Sequence, residues 1–200
     1  MSDDQAPQEA AAGEVGLVFK TETTGLPDWR GRSDGVTQPH LVRLSAQLID
    51  LTTRDLLDDM DAIIKPDGWE IPDEVVRIHG VTAQHANEVG ISEKDALQQF
   101  MNMWKQSTVK IAHGMPFQSR IIRIATLRYA TKNTQDKWKE AKSFCTAKIA
   151  KQIGSPSNRL DDAYMAVIGK TLDNRHDTMA GVDATAELYF KIQELSDAEQ

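Results

Sequence analysis

The sequence predicts a mixed α/β sheet covered by helices and built as a single domain. Three observations carry this expectation. The periodic segments run as three strands with hairpin links, then helices, a strand and more helices. No internal repeat and no second unit interrupts them. The 200-residue length suits one domain of ordinary size with a real core.

Residues 1 to 14, MSDDQAPQEAAAGE, are acidic, Ala-rich and without apolar periodicity, so a flexible tail is expected there. The first strand follows at about residues 15 to 20 and runs into a Thr-Thr-Gly turn. The stretch from Leu26 to Pro39, with two prolines and two glycines, is turn material. Val42, Leu44, Ala46 and Leu48 alternate with Arg43, Ser45 and Gln47, the pattern of a half-buried strand. "DMDAIIKP" reads as a third strand and "PDEVVRIHG" as a short helix stopped by Gly80. Ser92 opens a longer helix, with Asp95 as its capping partner. Leu97, Phe100, Met101 and Trp104 form one apolar stripe on that helix, which is core packing. "TVKIAHG" is a strand ending at His113, and Pro116 starts a helix to about Ala130. Between Thr131 and Leu160 two short helices are expected, around Trp138 and Ala147. A final helix begins near His176, with Val182, Ala186, Tyr189 and Phe190 inward, and the domain is expected to span 15 to 195, leaving 196 to 200 as a tail.

Composition narrows the function. A hydrophobic fraction of 40% with 26% charged residues is ordinary for a soluble globular chain. No apolar run approaches the roughly 18 residues of a membrane span, and the N-terminus lacks a basic-then-apolar secretory pattern. The single cysteine, Cys145, excludes an internal disulfide and a cysteine zinc cluster, which together point to a reducing, cytoplasmic location. The histidines show no H-x-x-x-H spacing of a zinc protease. The net charge of −7 argues against coating nucleic acid by bulk electrostatics but leaves room for a cleft with a local basic rim.

Lys20 and Glu22, two apart at the end of a strand, project from the same side. A pair of carboxylates there would make a metal site, and one of the two carries the opposite charge. "VFKTETTGLP" resembles the first motif, D-x-E-T-T-G, of the DEDDh 3′–5′ exonucleases, the DnaQ-like group that includes the proofreading epsilon subunit of bacterial DNA polymerase III. "IAHGMPFQSRII" resembles the second motif, A-H-N-x-x-F-D, and "HDTMAGVDATAELYF" the third, H-x-A-x-x-D before an Ala-rich helix. "RIHGVT" is similar to the family's I-H-G-I-T segment, and the long Pro/Trp loop with "KPDGWEIPDE" looks most like small stand-alone phage and prophage members. The resemblance spans roughly residues 16 to 193 with the motifs in order.

It implies a ribonuclease-H-like fold in which four carboxylates hold two divalent metals, Mg²⁺ or Mn²⁺, and a histidine is general base for the attacking water. Carried over residue by residue, Glu22 and His176 are retained, whereas the three aspartates fall on Lys20, Gln118 and Gly181. The surviving charges, Lys20 and Glu22, cancel, so the site has no net pull on a hard cation. At about 4 Å and an effective dielectric near 20, each unit-charge contact is of order 4 kcal/mol, and Asp to Lys reverses its sign. The expectation is that the Lys20 ammonium takes the vacated metal position and pairs with Glu22, with no metal cofactor needed. Among rescuing acids, Asp177 lies one turn before Gly181 on the same face; Asp183 is about 200° around and faces away; Asp161 and Asp162 approach from the preceding helix.

The implied function is a degenerate member that binds single-stranded DNA (or RNA) 3′ ends and hydrolyses little or nothing. Two alternatives stand beside it: an active metal-dependent exonuclease using relocated acids, and a protein-interaction module docking a replication or host protein. By the resemblance, the backbone of Thr23, Thr24 and Gly25 contacts the terminal nucleotide, and Leu26 and His79 wedge or stack against terminal bases; plain turn and packing roles are the ordinary alternatives. His113 is expected to support its strand end. Arg120, Arg123 and Arg128 are expected as a solvated face in preference to a phosphate track. Trp29, Arg30 and Arg32 combine an aromatic with two cations, the composition that grips single strands.

Overall fold

The computed structural model describes residues 13–173 and 177–198. Within them the elements are β1 (Val15–Thr23), β2 (Leu41–Asp50), β3 (Leu56–Ile63), α1 (Asp73–His79), α2 (Ala83–Val89), α3 (Glu93–Trp104), β4 (Val109–Ala112), α4 (Met115–Tyr129), α5 (Lys132–Glu140), β5 (Ser143–Cys145), α6 (Thr146–Gln152), α7 (Leu160–Ile168) and α8 (Thr178–Ala198). One sheet holds all five strands in the order β3-β2-β1-β4-β5. The β1–β2 and β2–β3 pairs are antiparallel, while β1–β4 and β4–β5 are parallel. That is the mixed α/β architecture the element order predicts.

The two sheet faces are covered differently. Leu17 and Phe19 of β1 and Leu44, Ala46 and Leu48 of β2 pack with α3 and α4 into the main core, where Phe19, Phe100 and Trp138 meet edge to face. Within the predicted stripe, Leu97, Phe100 and Met101 are buried and Trp104 packs partly buried against them. The opposite face carries α8, whose Val182, Ala186 and Tyr189 bury against Val18, Ile49, Val109 and Ile111. Because side chains alternate along a strand, the same alternation that fills the core places Lys20, Glu22, Arg43 and Ser45 under the start of α8.

Boundaries differ from the sequence reading in instructive ways. β1 runs to Thr23, so Lys20 and Glu22 sit on the strand itself, paired in register with Ser45 and Arg43 of β2. Glu14 accepts the Leu51 amide and pairs with Lys142, and α8 continues through Ser196 to Ala198, past the expected limits at 14 and 195. The stretch after Thr131 holds the two expected helices and, between them, a three-residue strand, β5. Ser92 caps α3 by accepting the Asp95 amide, and Gly80 ends α1 in the left-handed region at φ 75°, where glycine has no Cβ to clash.

Candidate active-site cleft

The centre of the site is an ion pair between Lys20 Nζ and Glu22 Oε1 on β1. Both side chains are largely buried, 24% and 16% exposed. The lysine stem lies across Gly181 of α8. A Cβ built on Gly181 would stand 2.7 Å from Lys20 Cδ and 3.1 Å from Cε, closer than van der Waals contact allows. Lysine at 20 and a side chain at 181 therefore compete for one volume.

Around this pair lies a polar network that sequence reasoning missed. Arg43, cross-strand from Glu22, forms a two-pronged pair with Asp61 of β3 (Nε to Oδ1 2.7 Å) and reaches Asp177 Oδ1 at 3.2 Å. Ser45 donates to Asp61 Oδ1 at 2.6 Å. Burial pushes the Asp61 carboxyl upward, but the guanidinium and the hydroxyl outweigh it and hold it below its ordinary value. The Asp61 hydrogen bond in turn raises Arg43, against burial, with Asp177 and Glu22 adding to the pull. The signal was present in the sequence: Arg43 and Ser45 are the polar half of the β2 alternation.

Asp177 is committed elsewhere. It caps α8 by accepting the Met179 amide at 3.0 Å while pairing with Arg43. Asp183 is exposed and accepts from Gln47 Nε2 of β2 at 2.6 Å. Asp162 takes the Ser157 hydroxyl at 2.5 Å and Asp161 pairs with Arg159 at 3.2 Å, so both brace the loop before α7.

Gln118 turns to the other side of β1. Its Oε1 accepts both the amide and the hydroxyl of Thr21, each at 2.8 Å. Pairing of β1 with β4 stops at Val18, and the Gln118 carbonyl satisfies a backbone donor past that point. His176 lies outside the described residues. Among those described, no group of three or more His, Cys, Asp or Glu is placed to hold a metal ion. The amine seated against Glu22 and Gly181 does not fit a divalent cation there.

The Thr-Thr-Gly turn follows a register shift between Glu22 and Thr23. Thr24 donates its amide to the His40 carbonyl at 3.0 Å and accepts the His40 amide at its hydroxyl, also 3.0 Å, so the Thr24 amide is occupied. Thr23 Oγ1 bonds the Gly25 carbonyl at 2.7 Å, and Leu26 stands out at 82% exposure. His79, only 3% exposed, accepts the Val81 amide at Nδ1, which assigns its proton to Nε2. That Nε2 is buried without a hydrogen-bond partner. Burial lowers the His79 pKa, with Glu22 and Lys20 close enough to pull in opposite directions. His79, Gly80, Arg43, His85 and Asp177 line one cleft of about 480 Å³.

Two of the α4 arginines, Arg120 and Arg128, overturn the solvated-face expectation. Arg120 Nη2 donates to the carbonyls of Asp28 (3.1 Å) and Gly31 (2.7 Å), and Arg128 to those of Gln38 and Pro39. Together with Gln38, which bonds both the amide and the carbonyl of Asp28, they hold the long loop in place. His113 joins β4 to Thr146 Oγ1 (2.9 Å) and the Asn158 carbonyl (3.0 Å), the expected strand-end support.

A mixed five-stranded sheet flanked by helices, with β1 as its central strand, is a ribonuclease-H-like fold. The exonuclease family's sequence profile matches residues 17–189, and the chain belongs to that family, in the DnaQ-like 3′–5′ exonuclease group. No curated protein matches the chain. Among solved structures, E. coli exonuclease I in complex with a dT13 oligonucleotide superposes at a TM-score of 0.71 with 19% identity, over 92% of this chain and 43% of that one. The zinc-bound form of the E. coli exonuclease I–ssDNA complex gives 0.72 and 18%, over 92% and 41%. An exonuclease I/SSB-Ct complex gives 0.70 and 17%, over 91% and 41%. The chain spans less than half the length of these proteins, and at such identities the likeness speaks for the fold. No described helix is long and apolar enough to cross a membrane.

Proposed function

We propose that this protein binds single-stranded nucleic-acid 3′ ends in the cleft beside β1 and has given up metal-dependent hydrolysis. One observation carries the reading: the Lys20 stem occupies the volume that a side chain at Gly181 would need, while its amine pairs with Glu22. The two replacements fit one another, as a settled metal-free site would. Lys20 and Arg43 face Glu22, Asp61 and Asp177, which leaves one uncompensated negative charge, far short of what two divalent ions require. Metal-activated water therefore has no place in the mechanism. What the strand-end region offers a strand end is the exposed Leu26 against a base and the Gly25 turn beside the terminal sugar. DNA bound by exonuclease I lends the fold-level precedent, and its complex with SSB-Ct does so for a replication-protein partner.

The test is incubation of 5′-labelled single-stranded DNA and RNA with Mg²⁺ or Mn²⁺. The wild-type chain leaves both intact, and the Lys20→Asp/Gln118→Asp/Gly181→Asp variant shortens one of them from the 3′ end in a metal-dependent way. Stepwise shortening by the wild type would mean that relocated acids do the work and would sink the proposal.

A further inference from the structure

A second cavity, of about 590 Å³, lies between residues 31–34 of the long loop and the α4–α5 corner. Arg32, Arg120, Arg123 and Lys132 line it, and Asp34 is the one acid among its lining residues. Arg32 already engages Asp34 through two hydrogen bonds, at 2.9 and 2.8 Å, leaving three cations without a lining carboxylate. This surplus sits on a chain whose net charge is −7, so composition does not explain it. Two lining groups, Ser33 Oγ and Arg120 Nε, are buried without a hydrogen-bond partner. Desolvation, then the neighbouring Arg123 charge, lowers the Arg120 pKa, with Asp28 pulling the other way.

We infer that this cavity is a phosphate-binding site for the backbone of a single-stranded nucleic acid. The inference rests on the nucleic-acid reading above and adds a contact away from the strand end. The neighbouring surface selects the ligand class. Trp29, in the same loop and 57% exposed, lines the adjoining apolar groove with Phe117 and Phe144. One loop thus sets an open aromatic surface beside a cation pocket, a pairing that suits an unpaired base next to its phosphate better than it suits free phosphate. The Arg120 bonds to loop carbonyls hold the two surfaces in fixed relation before any ligand arrives.

Fluorescence anisotropy with an internally labelled deoxythymidine oligonucleotide, linear and ligated into a circle, tests this across a salt series. Arg123→Gln/Lys132→Gln is expected to weaken binding about tenfold for both forms and to reduce the salt slope by about 1. Trp29→Ala is expected to weaken both forms by a similar factor. Lys132→Gln alone, at an exposed position, guards against misfolding, and circular dichroism checks each variant. Unchanged affinity and slope in the double variant overturn the inference while leaving end binding intact. Equal wild-type affinity for circle and line, with both lost in the double variant, supports the pocket and removes the end-binding proposal instead. If neither strand binds but inorganic phosphate raises the wild-type melting temperature and not the variant's, the site takes free phosphate and the nucleic-acid inference fails.

Discussion

Gly181 and Lys20 make a case for reading two contacting positions together. Glycine inside a helix costs about 1 kcal/mol relative to alanine, so Gly181→Ala would ordinarily stabilise α8. Here the added methyl meets Lys20 Cδ at 2.7 Å, so the lysine stem must shift. We expect Gly181→Ala to be neutral or destabilising in the wild type and to stabilise by about 1 kcal/mol once Lys20→Ala has emptied the slot. Urea unfolding of the four proteins in the cycle measures this, and additive effects would show that the two residues do not compete. That Lys20 and Glu22 share one side of β1 was legible from the strand alternation alone. That the lysine stem fills the place opposite Gly181 was not, because α8 is 158 residues further along the chain at its first buried turn.

At the scale of elements, the helices with clear periodicity and caps were readable, and so were the strands with regular alternation. β5 was not, since three residues, Ser143–Cys145, hold no period and become a strand only because β4 supplies the ladder. The α4 arginines were misread for a related reason. A basic residue spaced along a helix face looks solvated until a loop from elsewhere brings carbonyl oxygens to it. The same loop leans on Glu93, the first residue of α3, which is 4% exposed. Glu93 receives His40 (2.8 Å), the Leu41 amide (3.0 Å), Tyr129 (2.9 Å) and Arg128 (3.4 Å). Burial pushes its carboxyl up, yet His40, the Leu41 amide and Arg128 win and hold it below its ordinary 4.5. A carboxyl lowered in the folded state contributes stability above pH 4.5 that is lost as pH falls through the folded value. Glu93→Ala removes the acid that His40, the Leu41 amide, Tyr129 and the part-buried Arg128 share, and a loss of about 3 kcal/mol is expected. Limited proteolysis should then cut within residues 26–37, and a variant as stable and as resistant as wild type would refute the clamp.

For the molecule as a whole, the unusual liability is Lys110, 2% exposed in the middle of the sheet. Its ammonium donates to the Trp138 carbonyl and sits 4.3 Å from the centre of that indole, beneath the aromatic cluster. Desolvation lowers its pKa from 10.5 to about 8. Between these two values the unfolded chain holds a proton that the folded chain has released, so stability rises with pH across that window. Below pH 8 the full penalty is present, on the order of 3 kcal/mol from about 1.4 kcal/mol per pKa unit. Lys110→Met leaves the Trp138 carbonyl unpaired, at about 1 to 2 kcal/mol, and still gains at pH 7. We expect a higher urea midpoint at pH 7 for Lys110→Met and a gap that closes as pH approaches 10. A constant gap would mean that the buried amine is not the group that titrates.

The arginine bonds to the loop at 28–39 end on main-chain oxygens: Asp28, Gly31, Gln38 and Pro39 present carbonyls, whatever their side chains. Attachment of this kind is blind to most of the letters it holds. Trp29, Arg30 and Val36 can change without loosening the mount, which makes the segment an interchangeable cassette. New surface chemistry can be grafted there while the sheet beneath stays as it is.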